Sequence, residues 1–394
     1  MRILVVYNSA LDGKSMSGVT RYFAGVVKHW VANGHPTDFL VARAAWPIFQ
    51  PLFPDSRLVS SDNIFDATKY IHQTWRFLPI FAWRMLTCQF TRLPAKYDLV
   101  LSCAQFVYEV HPTMVLARRS GGAAVAIRIH HILASQRAPQ GIFDHMHLKA
   151  ERLATRWMNR KADAIICGTR LIDRDYHALE ASLRLSPSKT WVTGYGADLD
   201  TVPLAVDTPK AYDAILLGRI HETKGVFDAP GIWKLVCQRH PTAKLLIIGD
   251  GPHRKDLQNR FAELGLTERV VFTGGISDTE KNSLLGQCRV GLSLSREEGW
   301  GLSVTEFLAS GLPVVAMDLP IFRDVFPGQL DLVPVGDVPA TAARIAYWLD
   351  HPTESRQRGI EGREFVGRYD NREVAMREIE VFEKAIERRR SRKK

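Results

Sequence analysis

Long apolar runs are missing from this chain. No stretch approaches the roughly 18 consecutive apolar residues of a membrane-spanning helix, so an integral membrane protein is not expected. The opening Met1-Arg2-Ile3-Leu4-Val5-Val6-Tyr7-Asn8 has one basic residue and too short an apolar stretch for a signal peptide. Cysteine is scarce: Cys88, Cys103, Cys167, Cys237 and Cys288 are scattered, with no Cys-x-x-Cys spacing. That argues against a disulfide framework and against a zinc site. Each lies in an apolar context, as a small hydrophobe would, and a reducing cytoplasm is the expected compartment. Compositional bias is also absent. With 46% hydrophobic and 24% charged residues, 28 Gly and 20 Pro, the chain is neither disordered nor collagen-like.

At about 100–200 residues per domain, the 394 residues predict two domains. The net charge of +10 is uneven: +9 over residues 1–200, −4 over 201–386 and +5 in the last eight. Such asymmetry points to a partner for the basic parts. Short apolar runs alternate with longer helical stretches, the pattern of a parallel α/β protein. Strands are expected at Ile3–Tyr7, Thr37–Val41, Leu99–Ser102, Ala123–Ile129, Ala164–Cys167 and Thr190–Thr193. A first helix is expected from about Thr20 to Asn33, closed by Gly34. Residues 194–212 form a polar Gly/Pro-containing connection. A second series then begins: Ala214–Leu217, Lys244–Ile248, Val270–Thr273, Val290–Leu294 and Val314–Ala316. The expected domains are 1–200 and 201–370, followed by 371–394. In that last segment Asn371 is the expected cap, and Ala375, Ile379, Phe382 and Ile386 trace one helical face.

Three motifs point elsewhere and fail. Asn8 to Ser15 ends in Gly13-Lys14-Ser15 like a phosphate loop, but Asn8 stands where such a loop needs glycine. Asp198-Leu199-Asp200 has metal-binding spacing yet lies in the polar connection, and no metal is expected. Gly249-Asp250-Gly251-Pro252-His253-Arg254 follows a strand, as a dinucleotide fingerprint does. Arg254 replaces the third glycine, and no acidic residue ends the next strand to take a ribose.

The second half carries the chemistry. Gly218-Arg219-Ile220-His221-Glu222-Thr223-Lys224-Gly225 lies at a strand's carboxyl end, the edge where open α/β sheets bind ligands. Arg219 offers a planar fork and Lys224 a point charge to phosphate; the alternative is two exposed cations at a helix start. Glu298 and Glu306 flank Gly299-Trp300-Gly301-Leu302, a mix of carboxylates and bare amides suited to sugar hydroxyls. Ser303-Val304-Thr305-Glu306 also reads as a capping box, with Glu306 bonded to the cap amide. His130 and His131 follow the run 123–129, either as site residues or as hydrogen-bonded structural ones.

Together these segments resemble the family 4 glycosyltransferases, retaining enzymes of the GT-B architecture, most strongly over 213–326. The carrying segments are Gly218-Arg219…Lys224-Gly225, Ile248 to Pro252, Phe272 to Gly275 and Glu298 to Glu306 running into Ala309 to Ala316. The resemblance implies an α/β fold of two Rossmann-like domains facing a cleft, with the C-terminal helix crossing back to the first. It implies a nucleotide-sugar donor on the second domain, a glycan or lipid-linked acceptor on the first, and no metal or cofactor. Arg219 and Lys224 would hold the diphosphate and stabilise it as leaving group. Glu306 would bind the ribose, and Glu298 with Gly299, Trp300, Gly301 and Leu302 the sugar. Gly251 would lie in the donor loop, Gly18 would approach the phosphates, and His130 would contact the sugar or reacting centre. Two departures stand out: Ser17-Gly18 replaces the family's glycine pair, and His131 follows His130 where a polar residue is usual. A sugar-nucleotide epimerase or hydrolase, or a silent binding protein of the same architecture, are the alternatives.

Residues 69–92 combine Lys69, Arg76, Arg84 and Arg92 with Tyr70, Trp75, Phe77, Phe81, Trp83 and Phe90. This mixture suits peripheral contact with an anionic membrane, or a helical pair packed on the sheet with its arginines snorkelling. The basic tail adds to the former. No nucleic-acid recognition module is present, so nucleic acid is not an expected partner.

Overall fold

The computed structural model describes residues 1–8, 18–60, 77–133 and 142–392. Its contacts divide the chain into unit 1, Met1–Gly196 with Asn371–Lys394, and unit 2, Ala197–Asp370.

Unit 1 is built on a parallel sheet of β1 (Ile3–Val6), β2 (Thr37–Val41), β3 (Leu58–Ser60), β4 (Leu99–Ser102), β5 (Ala124–Ile129), β6 (Ala164–Cys167) and β7 (Thr190–Val192). The order is β3-β2-β1-β4-β5-β6-β7. Every residue of β1, β4, β5 and β6 is buried, which is why these strands read as unbroken apolar runs. Register is set by pairs such as Ile3 with Thr37 on one side and Leu99 on the other. The first helix runs Gly18–Ala32, and Gly34 beyond it has a φ of +79°, the left-handed turn expected of a closing glycine.

Unit 2 repeats the design with β8 (Tyr212–Leu217), β9 (Leu245–Ile248), β10 (Val270–Gly274), β11 (Cys288–Ser293), β12 (Val314–Met317) and β13 (Asp331–Val333), in the order β10-β9-β8-β11-β12-β13. The order reverses between β8 and β11, where Ile215 pairs with Gly291 and Leu216 with Leu292. The loops leaving these two neighbours must therefore diverge at the carboxyl edge and leave a crevice. Those loops are the two motifs that stood out in the sequence. Trp233, Ile232, Phe261 and Ile345 close the core on the sheet faces.

The last helix, Asn371–Ser391, belongs to unit 1. Ala375, Ile379 and Phe382 are buried, and the Phe382 ring meets Trp30 edge-on at 5.1 Å. Glu378 is buried on the same face. All five cysteines are unpaired. Among the described residues no helix is long and apolar enough to cross a membrane.

Candidate functional site

After β8 the chain makes a single 3₁₀ turn, Glu222–Lys224, and stops at Gly225 with a φ of +61°. A Cβ there would stand 1.9 Å from the Leu294 carbonyl oxygen, so only glycine lets this loop press against the end of β11. The turn aims Lys224 at the other loop: its Nζ donates to Glu298 Oε1, which also accepts from Ser295 Oγ at 2.8 Å. Arg219 is exposed and has no hydrogen bond or ion pair among the described residues. Gly218, Arg219, Lys224, Ser293, Ser295 and Ser303 line one recess at this edge. Lys224 and Glu298 retain 32% and 12% side-chain exposure. A partly exposed pair of this kind is worth on the order of 1 kcal/mol, a small cost for an anion to overcome.

The helix Leu302–Ala309 starts from Gly301, at a φ of +103°, with no side-chain cap. The capping box suggested by Ser303 to Glu306 is not formed. Instead the Glu306 carboxylate accepts from Lys281 Nζ at 2.6 Å. Lys281 lies on the helix Asp278–Gly286, is 8% exposed, and bonds Asp278 Oδ1 at 2.9 Å as well. Burial alone would lower this ammonium, but Glu306 and Asp278 outweigh it and hold the group above its usual range. Sequence reasoning missed Lys281; a lone lysine in a short polar helix carries no signal of where the next-but-one loop will place a carboxylate.

Trp300, expected at the donor site through its amide, has its side chain turned inward, and the residue is 5% exposed. Its Nε1 donates to Thr305 Oγ1 at 3.1 Å, and the ring meets Tyr369 edge-on at 4.7 Å. The indole is a core element that fixes the glycine loop. Gly299 is exposed, and Leu302 opens the helix half-buried. The Gly251 amide donates to Asp250 Oδ1 at 2.8 Å, and a Cβ at Gly251 would stand 2.2 Å from the Ile220 carbonyl oxygen. Gly251 thus couples the β9 loop to the β8 loop.

In unit 1, Gly18 opens the first helix, while Ser17, Gly13, Lys14 and Ser15 lie outside the described residues. His130 follows β5 with both ring nitrogens engaged. Its Nε2 donates to the Cys103 carbonyl at 2.6 Å, and Nδ1 therefore accepts from the Tyr195 hydroxyl. Burial, reinforced by the nearby Arg128 guanidinium, pushes this imidazole down to about 3, so it is neutral at physiological pH. The His131 ring lies edge-on to Phe106 and has no hydrogen bond among the described residues. Behind His130 sits a closed charged network. Arg128, 1% exposed, donates to Glu378 Oε1, to Thr193 Oγ1 at 3.2 Å and to the Gly194 carbonyl at 2.6 Å. Its guanidinium lies over the rings of Tyr22 and Tyr195, at 4.1 and 4.6 Å.

Two expectations about basic surface need correction. Arg84 is 3% exposed and donates to the Asn8 carbonyl at 2.7 Å, so it locks the end of β1 rather than facing solvent. In the basic tail, counted above toward a membrane surface, Arg388 and Arg389 donate to the Asp163 and Gly122 carbonyls, and Arg392 to Asp163 Oδ1 at 3.0 Å. Leu86 and Phe90 are exposed at 66% and 74%, and Arg92 is exposed. Lys69, Tyr70, Trp75 and Arg76 lie outside the described residues. Among the described residues no cluster of His, Cys, Asp or Glu could hold a metal ion.

Comparison with known proteins adds the lineage. The family model described as glycosyl transferases group 1 matches residues 207–365. A GDP-mannose:cellobiosyl-diphosphopolyprenol alpha-mannosyltransferase of Xanthomonas oryzae pv. oryzae is 26% identical over 51% of this chain and 54% of that protein. A phosphatidyl-myo-inositol mannosyltransferase of Mycobacterium leprae is 32% identical over 47% of this chain and 50% of that protein. The chain thus spans about half the length of these curated relatives. Among solved structures, Anabaena HepE in complex with UDP superposes with a TM-score of 0.72 at 17% identity, over 97% of this chain and 100% of that one. The sucrose-phosphate synthase of Thermosynechococcus elongatus gives 0.70 at 19%, over 97% and 98%. These likenesses establish the two-domain GT-B fold. Residues 207–365, which carry Arg219, Lys224, Glu298 and Glu306, are thus similar to the glycosyl transferases group 1.

Proposed function

We propose that this protein transfers a sugar from a nucleoside-diphosphate donor to an acceptor hydroxyl, with retention of anomeric configuration and without a metal ion. The observation that carries the reading is the recess between the β8 and β11 loops, where Arg219 and Lys224 converge beside Glu298. In the step proposed, the bond from the anomeric carbon to the diphosphate oxygen breaks and its electron pair stays on the phosphate. Arg219 and Lys224 stabilise that developing charge, the role a metal ion would otherwise fill. The acceptor oxygen bonds the anomeric carbon on the same face and its proton passes to the departing phosphate. Glu298, released from Lys224, accepts from sugar hydroxyls; Glu306 accepts from the ribose; the Gly18, Gly251 and Gly299–Leu302 backbone completes the donor site. His130, neutral and held on both nitrogens, takes no proton in this scheme and acts by shape. His131, with its ring nitrogens unengaged, is the better placed of the pair to bond a ligand.

The names of the mannosyltransferase relatives favour a lipid-linked acceptor. Exposed Leu86 and Phe90 beside Arg92 favour peripheral contact of unit 1 with an anionic lipid surface. Incubation with labelled nucleotide sugars and candidate acceptors, in the presence of a chelator, tests the reading. Transfer to acceptor with the donor's anomeric configuration supports it; an isomerised donor, free sugar, or binding without turnover contradicts it.

A further inference from the structure

A buried ammonium is tolerated only when it is paired. Lys281 meets that condition with two of its three N–H groups, on Glu306 Oε1 and Asp278 Oδ1. Its helix is fixed locally: Ser277 caps it by accepting from the Glu280 amide at 3.2 Å, and Asn282 Nδ2 donates to the Thr201 carbonyl at 2.9 Å. The lysine is therefore a rigid post. On the other side, Glu306 keeps 22% side-chain exposure, and its second oxygen has no hydrogen bond among the described residues. One oxygen of the carboxylate is thus anchored to protein and the other left open at the strand-end surface.

We propose that Lys281 is the positioning residue for Glu306: it holds this carboxylate in one rotamer, with one oxygen free for the ribose hydroxyls of a nucleoside diphosphate. The inference rests on the assignment of Glu306 to ribose in the transfer reaction above. A carboxylate bonds a hydroxyl as acceptor. The 2.6 Å contact to Lys281 fixes where that acceptor points, and a locked side chain has little rotamer freedom left to lose on binding.

Calorimetric titration separates this role from mere support of the fold. The probes are whichever of UDP, GDP and ADP raises the melting temperature most, and its 2′,3′-dideoxy counterpart. The wild type is expected to bind the ribose form roughly 10–100-fold more tightly, the range for hydrogen bonds to a charged group. In Lys281→Met that ratio should shrink to within about 3-fold, with the dideoxy ligand bound as in the wild type. Lys281→Arg should restore part of the ratio, and Glu306→Gln should abolish it. An unchanged ratio in Lys281→Met, or equal weakening of both ligands, overturns the positioning role. A wild type that binds a nucleoside diphosphate without discriminating the dideoxy form overturns the ribose assignment, and this inference with it.

Discussion

Both units contain a Lys/Arg–Glu pair within a few residues of a strand end, and the two pairs do opposite things. In unit 1, Arg128 and Glu378 are each about 1% exposed and surrounded by the rings of Tyr22 and Tyr195. In unit 2, Lys224 lines an open recess and its partner Glu298 is itself only partly buried. Enclosure makes the first pair a fastener between β5 and the last helix. Partial exposure leaves the second able to exchange for a ligand, as the proposed reaction requires. Residue type and pairing are nearly the same; burial and position on the sheet decide the role.

The largest way to break this contrast is to remove one half of the closed pair. Glu378→Ala leaves Arg128 buried and uncompensated, and should lower unfolding free energy by about 3–5 kcal/mol in a denaturant titration. Arg128→Met combined with Glu378→Leu should recover most of that loss, because two apolar groups replace two charges. In unit 2 the order of effects inverts. Lys224→Ala should leave the melting temperature nearly unchanged but reduce kcat/KM by about 10²–10³-fold, as loss of a charge-stabilising donor does. Steady-state kinetics beside a melting curve reads both numbers.

Why the residues of one pair stood out in the sequence and those of the other did not is a matter of local context. Lys224 and Glu298 both sit in glycine-marked loops after apolar runs, and the parallel α/β pattern places such loops at one edge. Arg128 lies inside a strand and Glu378 inside a helix, 250 residues apart, with nothing local to announce their meeting. The same holds for Lys281, whose partner Glu306 read equally well as a cap. The Trp300 indole was not foreseen as a core element: it sits amid the glycines of the candidate donor loop, yet its aromatic area is better used inside the core. The strands were legible wherever burial on both faces makes them continuous apolar runs. β3 and β13, the three-residue edges Leu58–Ser60 and Asp331–Val333, escaped, although β7, an equally short edge, was expected. Both edge strands add to sheets whose central order sets the site without them.

Gly225→Ala sharpens the comparison at lower amplitude. The added Cβ would meet the Leu294 carbonyl and the left-handed backbone would be strained. A stability loss of about 1–3 kcal/mol is expected, with a larger proportional loss of activity because the same turn aims Lys224.

The smallest effect is on pH dependence, where the units differ in sign. His130 is pushed down to about 3 by burial and Arg128, so below about 6.5 the unfolded chain binds a proton that the folded chain refuses. That stability is present above 6.5 and drains as pH falls toward 3. Lys281, raised by its carboxylates, contributes stability that is complete below its ordinary pKa and lost only as pH rises beyond it. The melting temperature of His130→Asn should therefore fall less steeply than wild type between pH 6.5 and 4, whereas Lys281→Met should leave that acid slope unchanged.

The most direct measurement is calorimetric binding of the preferred nucleoside diphosphate to the Arg219→Ala, Lys224→Ala double variant, with a melting curve as control. Loss of two phosphate-binding cations at an open recess should weaken binding by about 100-fold or more, at roughly 1.5–3 kcal/mol per charged hydrogen bond, while the protein melts as before. A folded double variant that binds the nucleotide as tightly as wild type would contradict the assignment of the β8–β11 recess as the donor site.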